Sequence, residues 1–458
     1  MTSQKQSQIT DEILQGNLIK LMFKLSIPSI LGVLMFNLNS FIDALFAGRF
    51  INETAFAGIS LAGSFTSIVG GIAALVGIGS ASVLSRAIGA GDVKTQSKIF
   101  GNLIMMSIVI SFFITIIGYE FSQELITFMG AKGEVALEGT KYFKTYILGT
   151  IIFIAGGACP EIIIAEGQIR ITTISMFVFV TVNVLLNYIF ISVYNWGTPG
   201  LALATIIAMV VFSIINFGYF ILGKSFIPVN LKKITLAIDI LPPILSVGIS
   251  SLFFPVIMLI QNFVVFNSIS DYGTKNDIAF FGATVKVISL ASIPVMGLAE
   301  ALGPIIGMNY GAKKQKRIKK AYLTFATCGF LLLFLIWLPL QLSPRTFLGI
   351  ILSDVNFTDN NIFNYRILSI NTLTLPLGIF GFVLLRSIGK GKTILVCILL
   401  RTIVFKIPMV LFFSKIYEVK GIYYGLFLAE LIMTLIVLIL TYLEFNNLTK
   451  LKFEQSRL

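Results

Sequence analysis

The chain has no histidine and only three cysteines, and each shortage excludes a class of chemistry. Without histidine in 458 residues, sites that use an imidazole as metal ligand, general base or proton relay are excluded. Cys159, Cys328 and Cys397 lie far apart in apolar surroundings without a CxxC pair, so they are interpreted as small core residues. Any proton that this protein transports must therefore bind to a carboxylate.

Charged residues are also scarce. They make up 12% of the chain, whereas 56% of the residues are hydrophobic and the mean hydropathy is +0.93. A soluble domain carries about 25% charged residues, because water has to wet its surface. A soluble protein is therefore excluded, and we predict an all-α integral membrane protein.

Apolar stretches are abundant, and about twelve of them reach the roughly 20 residues that a helix needs to cross the hydrocarbon core. They cover residues 21–48, 55–83, 99–119, 141–160, 172–194, 199–222, 239–268, 279–308, 321–342, 364–386, 393–414 and 421–443. The first stretch lacks the cleavage site of a signal peptide, so it is predicted to be an uncleaved first span.

The net charge of +13 is interpreted as a sign of membrane orientation and not of nucleic-acid binding. Lys and Arg are concentrated roughly three to one on alternate loops, which predicts that both termini are cytoplasmic. The basic run 313–320 is expected to lie on anionic membrane lipids. The Gly-Lys-Gly-Lys segment at 389–392 lacks the spacing of a phosphate-binding loop. An ion gradient is therefore the expected energy source, in place of ATP.

The sequence divides into two halves of six predicted spans each. The longest polar linker carries Lys224, Pro228, Lys232 and Lys233. Segments 85–92 and 304–311 follow the second span of each half, and segments 166–168 and 388–390 separate the fourth and fifth spans. Such repeats are typical of transporters. We predict a first lobe at 1–222, a cytoplasmic linker at 223–238, a second lobe at 239–445 and a cytoplasmic tail at 446–458.

Asp43 is the first candidate functional residue, because a carboxylate within a span is costly unless it is paired, hydrated or neutralised. Asn39 and Ser40 precede it by four and three residues and share its helix face. They could supply hydrogen bonds or ion ligands beside the carboxylate, and both are candidates for lining a substrate cavity. Asn183 and Asn187 form a similar pair in the fifth span. The alternatives are that Asp43 is solvated near the outer interface, and that the two Asn side chains bond neighbouring helices at about 0.6–2 kcal/mol per contact.

Polar residues in the second half are candidates for lining a substrate cavity. They are Gln261, Asn262, Asn267, Lys286 and Glu300. Glu300 could bind a cationic substrate or titrate during transport, or it could be hydrated near a helix end. Of the other charges near spans, Glu161 and Glu430 are interpreted as interfacial, and Arg401 and Lys406 as snorkelling or paired.

These motifs together resemble the multidrug and toxic compound extrusion (MATE) family, and in particular its prokaryotic DinF-like branch. The resemblance covers nearly the whole chain. The matching segments are NSFIDALFAGR at 39–49, SRAIGAGD at 85–92, PIIGMNYGAKK at 304–314, RSIGKGK at 386–392, and the pair Asn183 and Asn187.

The resemblance implies two six-helix lobes around a central cavity that opens alternately to either side. It implies efflux of amphipathic, often cationic small molecules coupled to entry of Na⁺ or H⁺, without enzymatic activity or a resident cofactor. It joins Thr205 to Asp43, Asn183 and Asn187 in a cation site, with Na⁺ at Asp43 as the possible bound metal. The implied setting is the plasma membrane of a prokaryote, and we expect a functional monomer.

The chain departs from the family pattern at two positions. Ile164 stands where the family commonly has Arg, whereas Arg386 is kept at the equivalent place in the second half. Asn187 stands where the branch usually has Asp, so only one of two expected acids is present. This departure leaves H⁺ and Na⁺ coupling both open. A lipid-linked oligosaccharide flippase of the same superfamily is the alternative function, and an enzyme or a channel fits the sequence less well.

Overall fold

The computed structural model describes residues 2–227, 234–352 and 357–455. Residues 228–233 of the predicted linker, which include Pro228, Lys232 and Lys233, lie outside the described ranges. In the first half the helices are α1 (Thr2–Gln15), α2 (Leu18–Phe46), α3 (Glu53–Ala90), α4 (Val93–Glu120), α5 (Ser122–Phe128), α6 (Gly133–Ile147), α7 (Thr150–Ala165), α8 (Ile169–Asn187) and α9 (Gly197–Ile221). In the second half they are α10 (Leu241–Tyr272), α11 (Lys275–Gly311), α12 (Gln315–Leu342), α13 (Pro344–Gly349), α14 (Asp359–Ser387), α15 (Gly391–Leu399) and α16 (Ile407–Gln455).

The number of membrane spans follows from helix length. Within the described ranges, ten helices are long and apolar enough to cross a membrane, and α6 with α7 forms a further span bent by 62°. The segment Gly391–Thr449 has 59 residues, enough for two crossings at about 1.5 Å per residue. It breaks at Glu418, where φ is 52°. The prediction of an all-α membrane protein with about twelve spans is confirmed.

Three short π-helical segments interrupt the spans. They cover Ala47–Ile51 after α2, Tyr188–Val193 after α8 and Leu400–Lys406 between α15 and α16. A π turn widens the helix and weakens its regular hydrogen bonding, and such turns are frequent at functional sites. Two of them follow directly on the spans that contain Asp43 and Asn187.

The connection between α3 and α4 explains the Gly-Asp pair that ends the motif at 85–92. Gly91 ends α3 with φ at 69°, a left-handed conformation that favours glycine. Asp92 then caps α4 by accepting hydrogen bonds from the backbone N–H of Thr95 at 3.0 Å and its hydroxyl at 2.6 Å. The hydrogen bond from the Thr95 hydroxyl has the larger effect and the one from its backbone N–H the smaller. Both lower the pKa of Asp92 below its ordinary value.

The two halves pack along α3, which contacts α10 and α11, and along α2, which contacts α11. Glycines permit this close approach. A Cβ atom at Gly89 would lie 1.9 Å from the carbonyl oxygen of Met308, and one at Gly248 would lie 2.2 Å from that of Leu75. Because the obstructing atoms belong to the backbone, no side chain fits at these positions without moving a helix.

We therefore predict that Gly89→Ala lowers the free energy of unfolding by about 1–3 kcal/mol, the usual cost of overpacking. Thermal unfolding of the purified protein in one detergent measures the change. Gly63→Ala is the matched control, because α3 has open space at Gly63. An unchanged melting temperature for Gly89→Ala would contradict the close approach of α3 and α11.

Candidate functional site

Asp43 lies near the end of α2 and is held by amide groups from two helices. The Asn39 side chain, one turn earlier, donates to Asp43 Oδ2 at 3.1 Å. The Asn187 side chain, on α8, donates to Asp43 Oδ1 at 2.7 Å. Both carboxylate oxygens therefore have a hydrogen-bond donor, as a carboxylate at this depth requires.

The network continues into α9. Asn187 Nδ2 also donates to Asn183 Oδ1 at 3.0 Å, and Asn183 Nδ2 donates to Thr205 Oγ1 at 3.3 Å. Asn183, Asn187 and Thr205 are all buried. The structure thus brings together Asp43, Asn39, Asn183, Asn187 and Thr205, which we call the Asp43 network.

Two oxygens of the Asp43 network still lack a partner. Asn39 Oδ1 and Asn187 Oδ1 are buried, and neither has a hydrogen-bond donor within the described parts of the chain. An unpaired buried acceptor is costly. A small hard cation prefers carboxylate and carbonyl oxygens as ligands, so these two atoms and the carboxylate fit Na⁺. A protonated carboxyl group would also supply a donor, so the same residues fit a proton.

Ser40 does not take part in this network. Its side chain is exposed, and its hydroxyl donates to the Phe36 carbonyl of its own helix at 3.4 Å. The three-residue spacing places Ser40 near the face of Asp43, but the donor atoms that reach Asp43 come from Asn39 and Asn187.

A second cluster of charged residues lies in the second half, on α10, the π segment and α16. Arg401 binds Glu430 through two nitrogens, at 2.6 and 3.1 Å. Lys406 Nζ lies 3.0 Å from Glu430 Oε2 and donates to Gln261 Oε1 at 3.2 Å. We call these four residues the Glu430 cluster. Arg401 and Lys406 are paired, one of the two interpretations offered above. Glu430 is largely buried within the second half, with a side chain 15% exposed.

The other candidates of the second half do not form one site. Glu300 accepts a hydrogen bond from Ser29 of the first half and lines a narrow cavity between the halves with Glu161 and Arg386. Asn262, Asn267 and Lys286 are exposed and make no hydrogen bond to the described residues. Of the five cavity candidates in the second half, only Gln261 and Glu300 therefore have polar partners among the described residues.

The sequence did not single out the environment of Glu166. This residue is fully buried and accepts hydrogen bonds from the hydroxyls of Tyr219 and Ser225, both at 2.5 Å, and from the backbone N–H of Phe226 at 3.1 Å. The carboxylate thus ties the end of α7 to the end of α9 and the start of the connection between the halves. The sequence signal that could have pointed to this site is Glu166 directly before Gly167 at the end of a predicted span.

Comparison with known proteins identifies the family. The sequence profile of the MatE family matches residues 28–189 and 247–412. The chain belongs to the MatE family. Proteins of this family are transporters and not enzymes. The profile matches once in each half, as expected for two related lobes, and the resemblance inferred from the motifs is confirmed.

Relatives and solved structures of this family cover nearly the whole chain. The Multidrug export protein MepA of Staphylococcus saprophyticus is 25% identical over 452 residues, covering 96% of this chain and 97% of MepA. MepA of Staphylococcus aureus is 23% identical over 432 residues, covering 94% and 95%. A crystal structure of MATE in the bent conformation superposes with a TM-score of 0.90 at 22% identity, covering 96% and 98%. This last similarity shows the twelve-helix fold.

We predict that Tyr219→Phe lowers the free energy of unfolding by about 1–3 kcal/mol, because Glu166 loses a buried donor. Chemical or thermal unfolding in one detergent measures the difference. Tyr188→Phe is the control, because Tyr188 is 57% exposed. Equal stability of the two variants would show that the Tyr219 hydroxyl does not support Glu166.

Proposed function

We propose that this MatE-family protein is a secondary active multidrug exporter. It moves amphipathic, often cationic small molecules out of the cell in exchange for H⁺ or Na⁺ by alternating access. The observation that carries the proposal is the Asp43 network: a carboxylate at membrane depth beside two buried oxygens without donors. The names of the relatives, which are multidrug export proteins, support the direction and the substrate class.

The coupling follows from the hydrogen bonds of Asp43. Binding of H⁺ or Na⁺ neutralises the carboxylate. It thereby changes the hydrogen bonds that Asp43 can accept from Asn39 and Asn187. Because Asn187 bonds both Asp43 and Asn183, this change reaches α8 and, through Thr205, α9. The π turns after α2 and α8 give these helices room to repack. Ion and drug must prefer different conformations, since equal preference would move nothing.

The identity of the coupling ion depends on the number of acids. Asp43 is the one carboxylate of the network, and Asn187 supplies an amide where a second acid would increase the negative charge. One carboxylate is sufficient for a proton. Na⁺ would rely on the amide oxygens of Asn39 and Asn187 for further ligands. Either ion is a transported substrate in this scheme and not a resident cofactor.

The proposal also includes the membrane, the orientation of the termini and the oligomeric state. The bacterial relatives support the plasma membrane of a prokaryote, and the distribution of Lys and Arg supports cytoplasmic termini. We propose that the monomer transports. The flippase alternative is not favoured, because the relatives that match the chain end to end are drug exporters by name.

We predict that Asp43→Asn abolishes ion-dependent efflux and leaves expression intact, because the amide cannot bind a proton or balance Na⁺. Everted vesicles loaded with a Na⁺ or pH gradient measure drug-induced ion release, in Na⁺ and in Na⁺-free buffer. Asp359→Asn is the control, since the Asp359 side chain is 99% exposed. Full active efflux by Asp43→Asn would refute the assignment.

We further predict that Asn187→Asp raises the apparent affinity of transport for Na⁺ by about tenfold, because a second carboxylate adds an anionic ligand. A Na⁺ titration of efflux at equal pH on both sides measures the half-maximal concentration. Asn262→Asp, an exposed amide on α10, controls for a change in net charge. An identical Na⁺ response in wild type and Asn187→Asp would contradict the placement of the ion.

A further inference from the structure

The end of α1 joins the two halves of the protein. α1 directly precedes α2 and so belongs to the first half, but the carbonyl oxygens at its end accept hydrogen bonds from the second half. Arg317 Nε donates to the Ile13 carbonyl at 3.0 Å, and its Nη2 donates to the Gly16 carbonyl at 2.6 Å. Lys314 Nζ donates to the Leu14 carbonyl at 3.3 Å. These side-chain bonds hold the end of α1 to the start of α12.

The bonded carbonyl groups are ones that require partners. The last carbonyl groups of a helix have no donor inside the helix, and their partial negative charge attracts cations. Arg317 and Lys314 supply both the donors and the positive charge. The buried Asn309 side chain, on α11, donates to the Ile13 carbonyl as well, at 3.3 Å. The second half therefore caps a helix of the first half.

The basic run 313–320 divides between two surfaces. Lys314 and Arg317 are three residues apart, which places them on one helix face, and both are half-buried against α1. The exposed members of the run are Lys313, Lys316, Lys319 and Lys320. The expected contact with membrane lipids therefore falls to these four lysines, whereas Lys314 and Arg317 are engaged by α1.

The opposite side of α1 is anchored on the first half. Ile13 is 1% exposed. A Cβ atom at Gly167, between α7 and α8, would lie 2.9 Å from Ile13 Cδ1 and 3.3 Å from Ile9 Cγ2. Glu12 of α1 also pairs with Lys24 of α2 at 2.5 Å. Apolar packing thus holds α1 to the first half, and hydrogen bonds hold it to the second.

The end of α1 is attached beside a close contact between the halves, on the inner side, where both termini are predicted to lie. A Cβ atom at Gly89 would lie 1.9 Å from the Met308 carbonyl oxygen, and one at Gly311 would lie 2.0 Å from that of Arg86. Asn309, which binds α1, lies between Met308 and Gly311 on α11. The bonds of α1 therefore bridge the halves where the inner ends of α3 and α11 meet.

We propose that α1 is a strap that holds the inner ends of the two halves together, and that it must release Arg317 and Lys314 before the cavity between the halves opens to the inner side. A hydrogen bond is lost once its donor and acceptor are more than about 3.5 Å apart. Separation of the halves by a few ångströms therefore breaks these bonds, so the strap favours the closed inner side. The inference rests on the alternating access proposed above and adds a controlling element to it.

Hydrogen exchange of the full chain in nanodiscs tests the strap. Peptides covering 9–16 report α1, and peptides within 84–92 and 303–312 report the inner ends of α3 and α11. Arg317→Gln should raise the exchange rates of all three by about tenfold, because local opening sets these rates and a charge-assisted hydrogen bond has about this value. Lys316→Gln is the matched control, because Lys316 is the exposed neighbour of Arg317, and it should change none of them.

A double-mutant cycle separates a strap from two independent contacts. Ile13→Ala weakens the anchor on Gly167 and leaves Arg317 in place. Because a strap fails at whichever end is weaker, Ile13→Ala combined with Arg317→Gln should open the inner ends of α3 and α11 no further than the more severe single variant does. Additive effects of the two substitutions would overturn the strap.

A rise in exchange confined to residues 9–16 would also overturn the inference, because α1 would then be released without any effect on the halves. Peptides from residues 425–440 of α16 report whether each variant is folded, and they should exchange as in wild type. If Ile13→Ala does not fold, the result for Arg317→Gln decides alone.

The strap and the export function fail separately, because hydrogen exchange requires neither a drug nor an ion gradient. If Arg317→Gln opens the inner ends but wild-type vesicles show no drug-induced ion release, the proposed function fails and the strap stands. If the vesicles show efflux but Arg317→Gln leaves the inner ends of α3 and α11 unchanged, the strap fails and the export function stands.

Discussion

The cost of placing a charge at membrane depth is the constraint on which the rest of this structure depends. Three acids within the spans each have specific partners. Asp43 has two amide donors, Glu430 has a guanidinium and an ammonium, and Glu300 has a hydroxyl from the opposite half. Because a buried carboxylate is costly without such donors, each partner fixes the position of its acid.

The two halves satisfy this constraint in different ways. Around Asp43 the partners are neutral amides, so no cation fixed to the chain balances this carboxyl group. Around Glu430 the partners are themselves cations bound covalently to the chain, so no exchange is needed to neutralise the acid. The two acids therefore have opposite surroundings, although the same family profile matches both halves.

The sequence was sufficient for those parts of the structure that follow from local periodicity. Asn39 with Asp43, and Asn183 with Asn187, could be paired because residues four apart share a helix face. The spans followed from hydropathy, but α3 runs to Ala90, past the predicted end at 83, because helical hydrogen bonding continues beyond the apolar core. The Glu430 cluster could not be predicted. Arg401 and Glu430 are 29 residues apart on two sides of the break at Glu418, so their contact depends on how those segments fold back together.

The contact between the halves combines close backbone approach with polar bonds. Glycine positions let backbone meet backbone. Polar bonds also cross between the halves at several places, including Ser29 to Glu300, Lys98 to Asp239 and Arg317 to the Ile13 carbonyl. Dispersion contacts are individually weak and depend steeply on distance, so a small rotation of one half releases many of them together. An interface held by buried ion pairs would instead leave uncompensated charges on separation, and here such pairs lie inside one half, where they need not break.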